Sequence, residues 1–159
     1  MSSLSATDQA KRARVASRQL QSLATAQRDQ LLENIANALE KHEAKIMQAN
    51  EEDILAATNA PDIDQNLIAR LKLSGQKIKN LSYGLRALSA MEEPIGKLVE
   101  QTEIANGLEL SKVTSPLGVL LIIFESRPDA LVQICGLCVR TGNGLLLKGG
   151  KEASNSNKC

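Results

Sequence analysis

Up to residue 93 the apolar positions recur at helical spacing, and beyond residue 97 they change to strand-sized runs. Residues 6–24 predict a first helix whose apolar side is Ala6, Ala10, Val15, Ala16, Leu20 and Leu23. A second is expected over 28–57, where Leu32, Ile35, Leu39 and Ile46 form a stripe to be buried. His42 falls on that stripe, three after Leu39 and four before Ile46. With no partner acid identifiable, it reads as a satisfied or half-exposed helix histidine rather than a proton-transfer group. Ala60-Pro61-Asp62 ends the pattern, since proline cannot continue a helix and disfavours helical geometry before it. A short helix around Leu67, Ile68 and Leu71 follows. Ser74 is the expected N-cap of another, with Ile78, Leu81, Leu85 and Leu88 at offsets of 3, 7 and 10 and with Lys72, Lys77 and Lys79 as its solvated face.

After Pro94-Ile95-Gly96 the runs 98–104 and 108–114 flank Ala105-Asn106-Gly107. Asn-Gly between such runs is a strong hairpin signal, because both residues tolerate positive φ. Residues 119–124 are an unbroken apolar run, as expected of a parallel strand covered on both faces, and 145–147 are a second. A helical stretch between them completes a βαβ unit, with Gly142-Asn143-Gly144 closing the helix. Parallel strands joined by a crossover end at the same sheet edge. Glu125-Ser126-Arg127-Pro128-Asp129 and Lys148-Gly149-Gly150-Lys151-Glu152 should therefore emerge side by side, where ligands bind in open α/β sheets.

Composition excludes several function classes. The 159 residues, 43% hydrophobic, suffice for one domain or part of one. A formal net charge of +1 and only two aromatics, Tyr83 and Phe124, disfavour nucleic acid and give no field toward an anionic membrane. No apolar run approaches the roughly 18 residues needed to cross a bilayer, so the chain reads as soluble. Cys135 and Cys138 have C-x-x-C spacing, but in the crossover helix that spacing makes one face, shared with Leu131, and His42 is the only histidine, so no metal site is expected. With Cys159 the thiol count is odd, which fits a reducing compartment and points to the cytoplasm. Lys11, Arg12, Arg14, Arg18 and Arg28 against Asp8 alone leave a mitochondrial or plastid leader open, though a basic helix of the domain is favoured.

Ile123-Phe124-Glu125-Ser126-Arg127-Pro128-Asp129, Thr141-Gly142-Asn143-Gly144 and Leu147-Lys148-Gly149-Gly150-Lys151-Glu152-Ala153 resemble γ-glutamyl phosphate reductase, the proline-pathway branch of the aldehyde dehydrogenase superfamily. Ser115-Pro116-Leu117-Gly118 and Asp129-Ala130-Leu131-Val132-Gln133-Ile134 are nearest to the reductase half of the delta-1-pyrroline-5-carboxylate synthases. Ala69-Arg70-Leu71, Gly84-Leu85-Arg86 and Glu93-Pro94-Ile95-Gly96 extend the resemblance more weakly. It implies an α/β fold in which residues 1–159 are part of an NADP-binding domain: helices over 1–93, a hairpin arm over 94–114, and the first βαβ of a Rossmann-like cofactor domain over 115–159. In the superfamily the arm contributes to homo-oligomers.

From the residues alone, Gly149-Gly150 either clears the way for a ligand phosphate between Lys148 and Lys151 or is a plain turn with solvated lysines. The resemblance points to the first. It implies that Lys148, with Glu152 nearby, meets the adenosine ribose of NADP, and it places Lys151 within reach of the 2′-phosphate. Arg127 before Pro128 suits a phosphorylated or carboxylate-bearing substrate, or else pairs with Glu125 or Asp129 to hold the loop. Ser126 stands where many relatives place an oxyanion-binding asparagine. The implied reaction is NADPH-dependent reduction of L-glutamyl 5-phosphate to L-glutamate 5-semialdehyde. The family's nucleophilic cysteine matches none of Cys135, Cys138 and Cys159, so the chain reads as an N-terminal piece that is inactive alone. The alternative is a short non-catalytic protein that associates with the full enzyme.

Overall fold

The computed structural model describes residues 4–60 and 64–159. Pro61 and Asp62, where the sequence predicts a helix break, lie outside the described residues. Five helices come first: α1 (Ala6–Ser22), α2 (Thr25–Lys41), α3 (Glu43–Thr58), α4 (Gln65–Leu71) and α5 (Gly75–Ser89). An antiparallel hairpin of β1 (Leu98–Ala105) and β2 (Leu108–Val113) follows. Then come β3 (Val119–Ile123), α6 (Pro128–Arg140) and β4 (Gly144–Lys148), with 3-10 turns at Lys151–Ala153 and Ser156–Lys158. Among the described residues no helix is long and apolar enough to cross a membrane.

Local signals account for most of these boundaries. Ser74 accepts the Lys77 amide at 3.2 Å and starts α5, as its spacing predicts. Asp64 caps α4 in the same way. Gly107 at φ +75° turns the hairpin, and Gly142 at φ +66° stops α6. Ile78, Leu81 and Leu85 are buried on α5 as the period requires. Leu32, Ala36 and Leu85 form the core between α2 and α5, joined by Val132 and Val139 of α6. Burying each of the two leucines contributes roughly 1.5 to 3 kcal/mol.

Two expectations are corrected. The single helix over 28–57 is two helices that meet at His42, which has φ −106° and ψ 16° and is exposed rather than buried. The buried face changes at that point: α2 buries Leu32 and Ala36, whereas α3 buries Asn50, Asp53 and Ala57. One straight helix cannot present both faces to their different neighbours. On α1 the buried residues are Ala13 and Ser17, while Ala6, Ala10, Val15 and Ala16 are exposed. The helix lies across β4, and Ser17 donates its hydroxyl to the Gly118 carbonyl at 2.8 Å. Gly144 sits so close to the Ala13 backbone that a side chain there would collide with it. Arg28, counted with the basic start, belongs to α2 and is buried.

β3 is short of cover. Its pairing with β4 is parallel, running from Val119 opposite Gly144 to Ile123 opposite Lys148. Only alternate residues are covered: Leu121 and Ile123 are each 65% exposed. The apolar run has the composition of a strand covered on both faces; α1 packs mainly on β4 and leaves one face of β3 open, as expected where only two strands of what is normally a larger parallel sheet are present.

Candidate functional site

Because β3 and β4 run parallel in register, their carboxyl ends finish together, and the Phe124 amide donates to the Lys148 carbonyl at 3.1 Å just past the paired residues. The two turns foreseen at this edge are joined by side chains. Glu152 Oε1 accepts from the Ser126 amide at 2.7 Å and from the Ser126 hydroxyl at 2.9 Å. Ser126 is buried and has φ +50°, a left-handed conformation that serine adopts at a cost. Partial burial pushes the Glu152 carboxyl up, but hydrogen bonds from its own amide and from the Ser126 hydroxyl and amide outweigh it and hold the group below the ordinary carboxylate value.

Gly149 and Gly150 have a structural use. A Cβ on Gly149 would come within 2.6 Å of the Asn157 amide nitrogen, and one on Gly150 would strike the Glu152 carboxylate. The space beside both glycines is thus taken by this chain's own side chains. Lys148 and Lys151 are exposed and make no ion pair or side-chain hydrogen bond among the described residues.

Arg127 stands on the other side of the Ser126 turn. It is the residue before α6, whose first position is the buried Pro128, and its backbone has φ −136° and ψ 79°. No ion pair joins Arg127 to Glu125 or Asp129 among the described residues. Instead Arg127 lines a cleft of about 400 Å³ with Asn66, Arg70, Lys77 and Asp129. A second, more apolar cavity of about 430 Å³ between α5 and α6 shares Lys77 and Asp129. Glu125 is exposed. Lys148, Lys151 and Glu152 thus belong to the end of β4 and the turn after it, whereas Arg127, in the turn after β3, lines a cleft with cations from α4 and α5.

Nothing in the sequence assigns a cleft role to Arg70 or to Lys77, which reads as solvated, and nothing in it reveals two buried polar anchors on α3 outright. Asp53 on α3 is buried and accepts from the Asn155 amide at 3.0 Å, the Ser156 amide at 2.7 Å and the Ser156 hydroxyl at 2.7 Å. Asn50, also buried, donates to the Leu71 carbonyl at 2.9 Å and accepts the Leu73 amide at 2.8 Å. A signal was present: Asn50, Asp53 and Ala57 share one helix face, so two polar residues fall where apolar ones would be expected.

The cysteines are single thiols. Cys138 is buried, Cys135 half-buried and Cys159 exposed, and burial raises the first two above the ordinary thiol value. Among the described residues no group of three or more His, Cys, Asp or Glu could hold a metal ion.

No family model matches the chain. It is 55% identical over 150 residues to a delta-1-pyrroline-5-carboxylate synthase of Mesembryanthemum crystallinum, a match covering 94% of this chain and 21% of that protein. The crystal structure of γ-glutamyl phosphate reductase from Saccharomyces cerevisiae superposes with a TM-score of 0.91 at 35% identity, covering 97% of this chain and 39% of the other. A probable aldehyde dehydrogenase from Listeria monocytogenes shares the fold, with a TM-score of 0.67 at 18% identity over 95% of this chain and 30% of that one. The chain thus spans about a fifth of the length of that synthase and about two fifths of the yeast reductase.

Proposed function

Since the chain is a relative of γ-glutamyl phosphate reductases over part of their length, we propose that it forms the cofactor side of an NADPH-dependent reductase. The intact enzyme converts L-glutamyl 5-phosphate to L-glutamate 5-semialdehyde and phosphate in proline biosynthesis. The observation that carries this reading is the pair of turns at the carboxyl edge of β3 and β4, joined through Ser126 and Glu152.

The donor set at that edge fits a phosphorylated dinucleotide. Lys148 and Lys151 present two exposed ammonium groups at the end of β4, with no protein anion paired to them among the described residues. Lys148 takes the ribose end and Lys151 the 2′-phosphate, while Glu152 stays ionised and holds the Ser126 turn. Gly149 and Gly150 admit Asn157 and Glu152 against the turn and so keep it closed against the C-terminal segment. NADPH, when bound, supplies the hydride. Arg127, held next to the pinned Ser126, faces the substrate from the neighbouring turn.

The experiment is a titration of the chain with NADPH, followed by the fluorescence of the reduced nicotinamide and by amide shifts at residues 148–152. Saturable binding that Lys148→Ala weakens supports the reading, and identical titrations of wild type and variant sink it. In the same preparation, glutamyl phosphate should cause no NADPH oxidation, because the thioester-forming cysteine matches no cysteine of this chain.

The hairpin favours a second role compatible with the first. All residues of β1 and β2 are exposed, including Val99, Ile104, Leu108 and Leu110. A two-stranded ribbon with such a surface is marginal alone and pairs readily with other strands. This supports association with further copies or with a full-length enzyme.

A further inference from the structure

The cleft beneath α6 carries more chemistry than a loop-holding arginine needs. Arg127 meets there Arg70 from the last turn of α4, Lys77 from the first turn of α5 and Asp129 from the first turn of α6. Three cations thus face one carboxylate in a cleft of about 400 Å³, within the roughly 300 to 1,000 Å³ usual for small-molecule sites. Arg70, Arg127 and Asp129 make no ion pair or side-chain hydrogen bond among the described residues. The Lys77 ammonium gives one hydrogen bond to the Lys72 carbonyl at 2.6 Å and keeps two donors free.

We infer that this cleft receives the zwitterionic α-amino-acid end of the substrate, with Arg70, Lys77 and Arg127 on its carboxylate and Asp129 on its α-ammonium. The inference rests on the function proposed above and assigns the part of the substrate that this cleft takes. Guanidinium groups offer planar forks that bind a carboxylate through two parallel hydrogen bonds. A cluster of cations alone would accept any anion. Asp129 is the discriminating group, because only a ligand with a cation next to its carboxylate satisfies it and the arginines together.

The elements that carry these groups are held in place. Pro128 is buried at the first position of α6, and Ser126 is pinned by Glu152, so Arg127 lies between two fixed residues. Lys77 stands in the turn that Ser74 caps. With its amino-acid end in the cleft, the reacting end of an acidic amino acid is directed toward Ser126 and the carboxyl edge of the sheet.

The test is an NMR titration of the isotope-labelled chain with three stable probes. L-glutamate has both groups of the amino-acid end, glutarate lacks the ammonium, and 4-aminobutyrate lacks the α-carboxylate. L-glutamate should shift the amides of Arg70, Lys77 and Asp129 saturably, and each of the other two should bind about tenfold more weakly or worse. Arg127→Gln should weaken L-glutamate by a factor of roughly ten or more. Asp129→Asn, with an unchanged circular dichroism spectrum, should remove the preference for glutamate over glutarate. Equal affinity for glutamate and glutarate in the wild type, or no saturable shift in the cleft, overturns the inference. A parallel NADPH titration separates the two readings. If residues 148–152 respond to NADPH and the cleft ignores glutamate, only the headgroup assignment falls. If glutamate binds as described and NADPH does not, the reductase reading falls and an amino-acid site remains.

Discussion

The carboxylate of Glu152 is tied to Ser126 across the sheet edge, accepting from its amide at 2.7 Å and from its hydroxyl at 2.9 Å. Removing the acid leaves a buried N–H and a buried hydroxyl without an acceptor, which costs about 1 to 3 kcal/mol. Glu152→Ala is expected to lower the denaturant midpoint accordingly. At Ser126 the order of two variants is diagnostic. Ser126→Ala loses the hydroxyl bond and keeps a left-handed φ of +50°, whereas Ser126→Gly loses the same bond and is released from that strain. Glycine should therefore be the milder change in chemical denaturation, and the reverse order would remove the strain argument.

Glu93 and Glu152, each partly buried, are among the carboxylates held below their ordinary value. For Glu93, partial burial works against ionisation, but hydrogen bonds from Thr25, the Ile95 amide and Arg28 prevail. Glu152 behaves likewise. A carboxyl whose folded value is depressed contributes stability above its unfolded value of about 4.3 and loses it as pH falls through the folded value. Thermal unfolding should therefore be flat near neutrality and weaken as pH drops below about 4.3. Glu93→Gln and Glu152→Gln should each flatten that acid limb, a comparison made by melting at stepped pH.

Asp53 holds the last residues of the chain through three hydrogen bonds, and its replacement by alanine should free them. Loss of charge-assisted bonds at a buried acceptor costs about 1.5 to 3 kcal/mol. Hydrogen exchange at Asn155 and Ser156 should accelerate in Asp53→Ala while the amides of α5 stay protected. Uniform acceleration would mean that Asp53 supports the whole fold instead.

Two glycines mark close approaches between elements. A Cβ on Gly136 would lie 2.5 Å from Leu85 Cδ2 and 3.2 Å from Leu88 Cδ1, so Gly136→Ala overpacks the contact of α6 with α5 by about 1 to 3 kcal/mol. At Gly144 the obstacle is the backbone of Ala13, together with Ser17 Cβ at 2.9 Å, and a backbone yields less readily than a leucine methyl. Gly144→Ala should be the more damaging of the two in thermal melts.

At the proposed cofactor edge, Lys148→Ala should weaken NADPH binding by roughly ten- to a hundredfold in an enzyme carrying these residues, the equivalent of one charged hydrogen bond. The contact is the same in ground and transition states, so KM should rise more than kcat falls. Lys151→Ala should affect NADPH more than NADH. KM values for both cofactors left unchanged in both variants would mean that the lysines are merely solvated.

Features that depend on neighbours along the chain are legible without the tertiary structure. The Asn106-Gly107 turn, the Ser74 cap, the Gly142 stop and the strand-helix-strand order of 119–148 follow from local dihedral preference and from periodicity, and the structure has them all. The pairing of the two strand-end turns also followed, because a crossover between parallel strands leaves no other edge. Periodicity records which residues avoid water, not which segment covers them. It therefore ran one helix through His42 and put Ala6, Ala10, Val15 and Ala16 on the covered side of α1, where Ala13 and Ser17 are the buried residues. The polar anchors needed partners far along the chain: Ser17 finds Gly118, Asp53 finds Ser156 and Ser126 finds Glu152. Arg70 and Lys77 were ordinary helix cations until α4, α5 and α6 brought them beside Arg127. Tertiary packing alone decided that meeting, because charges on separate helices have no spacing in the sequence that relates them.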